Sequence, residues 1–322
     1  MTAPYAALGD SFAAGVGGGG QRDVCWRSDD GYPVLVGRTL GLDVAYEACL
    51  AAIVPDVERF QLQSLGESTR LVTVTIGGND IGFVPVLIAC AEPAWMRDSD
   101  PVIDTALHRL RTELPARLDR LLGVIVRRAP AARVVVTGYP RLFNGIDCNL
   151  ATFFTGHEMS RMNVAADELA ATISAAAARA GALFVDVLDD FAGHAVCDDP
   201  EWLNGVNLPI EGSFHPNTLG HGAYALAVLR VLGPRFPAGA QGDSRVRPGL
   251  CVAGSAPTFR LPDIAGPRSL AGAVACGLDV TEVVELGTRL RTTAATGLPD
   301  PDVSRRLHEL DAQVRARLGR PS

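Results

Sequence analysis

Three short blocks in the chain carry the side chains needed for acyl transfer, each just after an apolar run or just before a helix-like one. The first is Gly9-Asp10-Ser11, which ends the apolar run 5–8. A serine at the carboxyl end of a strand can present its hydroxyl where a parallel sheet opens to ligand. A helix starting just after it favours developing negative charge. The second block is Gly77-Gly78-Asn79-Asp80, which follows the β-branched run LVTVTI. An asparagine amide there can aim at the same spot and stabilise an oxyanion, a contribution of about 3–4 kcal/mol in comparable sites. The third is Gly212-Ser213-Phe214-His215-Pro216-Asn217. Its histidine, in a short loop entering a helix, can take the serine proton as general base.

Taken singly, each block has an ordinary explanation. A Gly-Gly-Asn-Asp sequence is a tight turn, and a lone histidine is more often structural. Gly-Asp-Ser even recurs at Gly242-Asp243-Ser244, within a linker-like tract and after no strand, where it is coincidental. Order and strand context carry the reading.

The elements that would position these blocks alternate along most of the chain. Residues 5–8, 44–47, 71–76, 133–137 and 183–187 read as strands. Residues 32–40, 105–128, 158–179 and 217–232 read as helices. Five strands with helical crossovers predict an α/β fold, a doubly wound parallel sheet covered on both faces. The pattern stops near Phe236-Pro237, where a Gly/Pro/Ser-rich stretch begins and no strong strand follows. Residues 1–237 therefore form the predicted catalytic domain. Residues 238–322 form a C-terminal extension, a linker with helices near 281–293 and 303–318. In the last of these Val303, Leu307, Leu310, Val314 and Leu318 share one face, for docking on its own domain, for a lid or for a dimer contact.

Composition narrows the chemistry. At 322 residues the chain is long enough for two domains or for one α/β domain with an appendage. A net charge of −7 argues against nucleic acid as the main partner. All 29 basic residues are arginine, which removes the lysine of a phosphate-binding P-loop and the amine of Schiff-base chemistry. No apolar run reaches the ~18 residues of a spanning helix. The seven cysteines include no C-x-x-C and meet no H-E-x-x-H, so no zinc site is expected. Three disulfides with one free thiol is the natural reading, and it points to an oxidising compartment. Met1 stands a few residues before the first strand, with no signal peptide between. A secreted protein trimmed of its leader is the expectation; a cytoplasmic protein is the alternative.

Together the blocks resemble the SGNH (GDSL) hydrolase superfamily, closest to its secreted bacterial esterase and lipase branch. The likeness continues through Cys25-Trp26-Arg27-Ser28 with Tyr32-Pro33, through residues 72–83, and through His194-Ala195-Val196-Cys197, covering roughly residues 3–235. It implies a three-layer α/β/α, flavodoxin-like fold with a five-stranded sheet. Ser11 matches the nucleophile, Asn79 an oxyanion donor and His215 the base. Two positions depart from the family pattern. Where it usually has a glycine whose N–H completes the oxyanion hole, the chain reads Cys49-Leu50-Ala51-Ala52, and Ala51 aligns best. That amide donates equally well if its backbone is ordinary for an L-residue. Where the family usually has Asp three residues before the histidine, the chain has Gly212.

A triad acid orients the imidazole and stabilises its charged form. Some members of this branch use a main-chain oxygen instead, in a Ser–His dyad. The Gly212 carbonyl is the acceptor expected here, with Glu211 as rival and Asp10 and Asp80 as structural acids. The resemblance also suggests disulfides Cys25–Cys49 and Cys148–Cys197. Cys90 has no partner at the family's usual spacing and would be free, leaving Cys251–Cys276 to close a loop in the tail.

The resulting expectation is a serine ester hydrolase without metal or cofactor, acting on a small-molecule or lipid acyl ester through an acyl-Ser11 intermediate. The Ser11 and Ala51 amides and Asn79 would hold the oxyanion. Phe12, Trp26, Trp95, Met96, Phe153 and Phe154 are candidates for an acyl pocket. An acyltransferase with the same residues, or a catalytically dead binding module, are the rival readings.

Overall fold

The computed structural model describes residues 3–237, 244–296 and 300–321. Its sheet is parallel throughout, built from β1 (Tyr5–Gly9), β2 (Val44–Tyr46), β3 (Leu71–Thr75), β4 (Arg133–Thr137), β5 (Leu183–Val185) and β6 (Val246–Pro248) in the order β5-β4-β3-β1-β2-β6. Every residue of β1 and β3 is buried, as strands covered on both faces must be.

Order along the sheet dictates the layers. The chain moves one way from β1 to β2 and the other way from β3 through β4 to β5. Right-handed crossovers then place the helix Tyr32–Leu40 on one face, and Leu114–Arg128 and Gly156–Ala180 on the other. The helix Thr218–Leu232 returns toward β6 and packs on Tyr32–Leu40. The direction reverses between β1 and β3, so their carboxyl ends open the crevice in which such sheets bind ligands. Ser11 follows one of these strands and Asn79 the other.

The structure corrects the expected five strands to six. β6 pairs with β2, Val44 opposite Val246. Three residues ending in proline carry no periodic signal, and Pro248 is tolerated because β6 is an edge. The helix expected over 105–128 is two helices, Asp100–Thr112 and Leu114–Arg128, broken at Glu113 just before Pro115. Phe83–Ala91 and Pro267–Ala275 are additional helices. Among the described residues no helix is long and apolar enough to cross a membrane.

The tail helices build a second apolar cluster. Val303, Leu307, Leu310 and Val314 from the helix Pro301–Leu318 pack with Val283, Trp95 and Phe153, whereas Leu318 is exposed. The Trp95 indole N–H donates to Ser269 Oγ at 2.9 Å, and the Ala94 N–H to Asp311 at 2.5 Å.

Cys25–Cys49 and Cys148–Cys197 are disulfides. Cys90 is free and buried. The third expected bridge is not formed: Cys251 and Cys276 are both free. The tail separates them, because Cys251 sits beside Arg27 on the sheet domain and Cys276 packs on the second cluster.

Candidate active site

Ser11 opens the one-turn helix Ser11–Ala14 directly after β1. Asp10 caps that helix, its carboxylate accepting the Phe12 N–H at 3.0 Å. Gly9 makes the sharp exit possible. Its φ is 126°, and a Cβ there would lie 2.0 Å from the Thr75 carbonyl oxygen of β3. The Gln61 side chain brackets Gly9, accepting from its N–H at 2.7 Å and donating to its carbonyl at 2.9 Å.

His215 comes from the loop before Thr218–Leu232, and its Nε2 stands 2.7 Å from Ser11 Oγ. Its Nδ1 stands 2.8 Å from the carbonyl oxygen of Ser213. This corrects the expected Gly212 acceptor by one residue. The Gly212 carbonyl is occupied by the Asn204 amide at 3.2 Å, while Phe214, at φ 58°, turns the chain so that Ser213 faces the ring. Glu211 lines the cleft but makes no described contact with His215. Loss of water around the half-buried ring lowers the His215 pKa to about 4. The Ser213 hydrogen bond opposes this, and His221 nearby adds to it.

Asn79 begins where β3 ends, in the short helix Gly78–Ile81. One hydrogen of its side-chain amide goes to the Ala52 carbonyl at 3.0 Å, which leaves the other for a ligand. Ala51 does not meet the condition of a backbone ordinary for an L-residue. Its φ is 62°, the left-handed region where glycine is at home, and an L-residue there costs about 1–2 kcal/mol. A glycine would hold that conformation without this cost.

Asp10 and Asp80 are anchors. Tyr139 donates its hydroxyl to Asp10 at 2.5 Å and accepts the Gly78 N–H at 3.2 Å, tying the end of β1 to the Asn79 turn. Burial pushes Asp10 up to about 7 against those hydrogen bonds. Asp80 accepts the Val54 N–H at 3.0 Å and meets Arg117 at 3.3 Å; burial pushes it up to about 6. Tyr139 and Gln61 are positioning residues that the sequence reading missed. Their one signal is indirect: Tyr139 follows the end of β4.

From these residues an apolar cavity runs inward between the helices Phe83–Ala91, Asp100–Thr112 and Gly156–Ala180. Ser11, Ala51, Asn79 and His215 line it, with Leu87, Leu107 and Met162 on those helices. Of the six proposed pocket side chains only Phe12 takes part. Trp95, Met96 and Phe153 belong to the second cluster, Phe154 packs on Phe143 and Phe214, and Trp26 is partly buried elsewhere. Asp23, Cys25 and Cys251 form the metal-ligand-like cluster among the described residues, but the Cys25 sulfur is committed to its disulfide.

Residues 7–223 match the sequence profile of the GDSL-like Lipase/Acylhydrolase family. The chain belongs to this family. It is 39% identical over 233 residues to a lipase of Streptomyces rimosus, covering 70% of this chain and 85% of the relative. Lipase 1 of Streptomyces coelicolor is 35% identical over 234 residues, with the same coverages of 70% and 85%. Among solved structures, an extracellular lipase from Streptomyces rimosus superposes with a TM-score of 0.65 at 36% identity, over 70% of this chain and 98% of that one. A phospholipase A1 from Streptomyces albidoflavus gives 0.67 at 34% identity, over 72% and 100%.

As a member of this GDSL-like family the protein is a carboxylic ester hydrolase. Of the second Gly-Asp-Ser copy only Ser244 is described, and it does not line the cleft. Gly242 and Asp243 lie outside the described residues, and the Ser244 hydroxyl donates to the Leu42 carbonyl at 2.6 Å. β6 and the helices after it lie beyond the family match.

Proposed function

We propose that Ser11 and His215 act as a catalytic dyad on esters with an extended apolar acyl chain. The observation that carries this is the 2.7 Å Ser11–His215 contact, with both residues lining an apolar cavity. Ser11 Oγ attacks the ester carbonyl carbon while its proton passes to His215 Nε2. The carbonyl oxygen takes up the displaced electron pair and is held by the Ser11 and Ala51 N–H groups and the free hydrogen of Asn79. As the pair returns, the C–O bond to the alcohol breaks and the imidazolium protonates the leaving oxygen. Water then attacks the acyl-enzyme, gives its proton to His215, and Ser11 leaves with that proton restored. The Ser213 carbonyl holds the Nδ1–H tautomer and supplies a dipole to the cationic ring.

A lipid ester is the substrate class we favour, since the cavity walls are apolar and a similar protein is a phospholipase A1. Two disulfides and an extracellular relative support secretion as the setting. A fluorophosphonate probe tests the nucleophile. It should label the wild type and Ser244→Ala, and labelling and turnover should vanish in Ser11→Ala. A Ser11→Ala variant with more than a tenth of wild-type turnover refutes the assignment.

A further inference from the structure

We infer that the segment 249–259, outside the family match, completes the active site by holding the oxyanion loop and walling the acyl cavity. The inference rests on the Ser11–His215 reading above. Three attachments lead the segment to the site. β6 joins the sheet beside β2. The Arg27 guanidinium, 2% exposed, then clamps the turn that follows. It donates to the carbonyls of Glu47 and Ala48 on the sheet side and of Gly249 and Leu250 on the tail side, at 3.2, 2.9, 3.2 and 3.4 Å. Beyond it the Ser255 N–H and hydroxyl donate to the Asp56 carboxylate at 2.9 and 2.6 Å.

Between these anchors the tail grips Ala51 on both sides. The Gly254 N–H donates to the Leu50 carbonyl at 3.2 Å, and the Ala256 N–H to the Ala51 carbonyl at 3.0 Å. Leu50 C=O and Ala51 N–H belong to one trans peptide, so they point in opposite directions. Holding that carbonyl against the tail turns the Ala51 N–H away from it, toward the cleft. The second bond fixes the next peptide, and together they hold a left-handed alanine that has no glycine freedom of its own. A few residues on, Phe259 is buried at the cavity wall with Thr258 beside it. Its ring packs edge-on against Phe214, the neighbour of His215, at 4.9 Å. Gly254 and Phe259 are thus a positioning and a specificity-determining residue for the same reaction.

Gly254→Ala and Phe259→Leu test this on the full chain, with p-nitrophenyl esters of increasing acyl length. Gly254 has no positive φ, so an alanine is strained there only by contact. Its Cβ would lie 2.1 Å from the Ala51 carbonyl carbon and displace that peptide. The expected result is a fall in kcat of about tenfold or more on the shortest ester, with KM within about twofold, as loss of an oxyanion donor gives. Phe259→Leu should move the preferred acyl length, read as a changed ratio of kcat/KM between the longest and the shortest ester; a merely structural residue would lower all esters alike. Wild-type kcat in Gly254→Ala, or an unmoved length profile in Phe259→Leu, overturns the inference. If Gly254→Ala does not fold, the Phe259→Leu profile decides alone. Activity surviving in Ser11→Ala would instead overturn the dyad reading beneath it.

Discussion

The His215 imidazole hydrogen-bonds to the carbonyl of Ser213, two residues earlier in its own loop, at 2.8 Å. A carbonyl fixes the tautomer as a carboxylate would, but it offers a dipole in place of a full charge. Loss of a true triad carboxylate costs ~10⁴-fold in a well-studied case. Here no such loss is available, because Glu211 only lines the cleft. Glu211→Gln should change turnover by less than about tenfold, while His215→Ala should remove at least ~10³-fold. Equal severity of the two in steady-state assays would mean that Glu211 is a relocated acid.

The same burial sets the acid limit of activity. The base must be neutral, and desolvation lowers the His215 pKa to about 4 in the free enzyme. kcat/KM should therefore hold level from neutral pH down to about 5 and fall tenfold per unit below about 4. An unperturbed imidazole would place that limb near pH ~6.5. Asp10, pushed up to about 7, carries no proton in the cycle, so Asp10→Asn serves as the control. A limb at 6.5 that persists in Asp10→Asn contradicts the assignment of His215 as a desolvated base.

Thiol counting checks the cysteine pattern. The denatured, unreduced protein should titrate three thiols, Cys90, Cys251 and Cys276. In the native protein Cys90 should stay unmodified, since burial both blocks it and raises its pKa well above the ordinary value, while Cys251, exposed but with its own pKa raised by desolvation, should react ahead of Cys90. A count of one would restore the Cys251–Cys276 bridge.

What the sequence made legible was local. Ser11, Asn79 and His215 stood out because each follows a strand or precedes a helix with its glycines in place. Strand and helix periodicity then located the crevice between β1 and β3. The features that were not legible depend on distant chain segments. Tyr139 and Gln61 are ordinary residues until the fold brings them to Asp10 and Gly9. Ser213 replaces Gly212 as acceptor because of a left-handed turn at Phe214, where no glycine advertises it. β6 is too short and too proline-bound to show a period, so the tail's return to Ala51 was invisible. Aromatic residues were poor guides to the pocket. Its aromatic lining is Phe12, Phe83, Tyr139, Phe214 and Phe259, whereas Trp95 and Phe153 serve the second cluster.

Leu107 tests the depth of that pocket. It lies on the helix Asp100–Thr112, half-buried and lining the cavity. Leu107→Trp adds a large ring to a wall that an extended acyl chain would follow and a short one would never reach. Each methylene excluded from an apolar pocket forfeits about 1–3 kcal/mol of transition-state binding. kcat/KM for the longest p-nitrophenyl ester should thus fall by tenfold or more, roughly one such methylene's worth. The acetate ester, which needs only the mouth, should stay within about twofold of wild type. A uniform loss across the panel, with an unchanged melting temperature, would mean that the acyl chain leaves Ser11 by another path. The cavity between these three helices would then have no part in substrate binding.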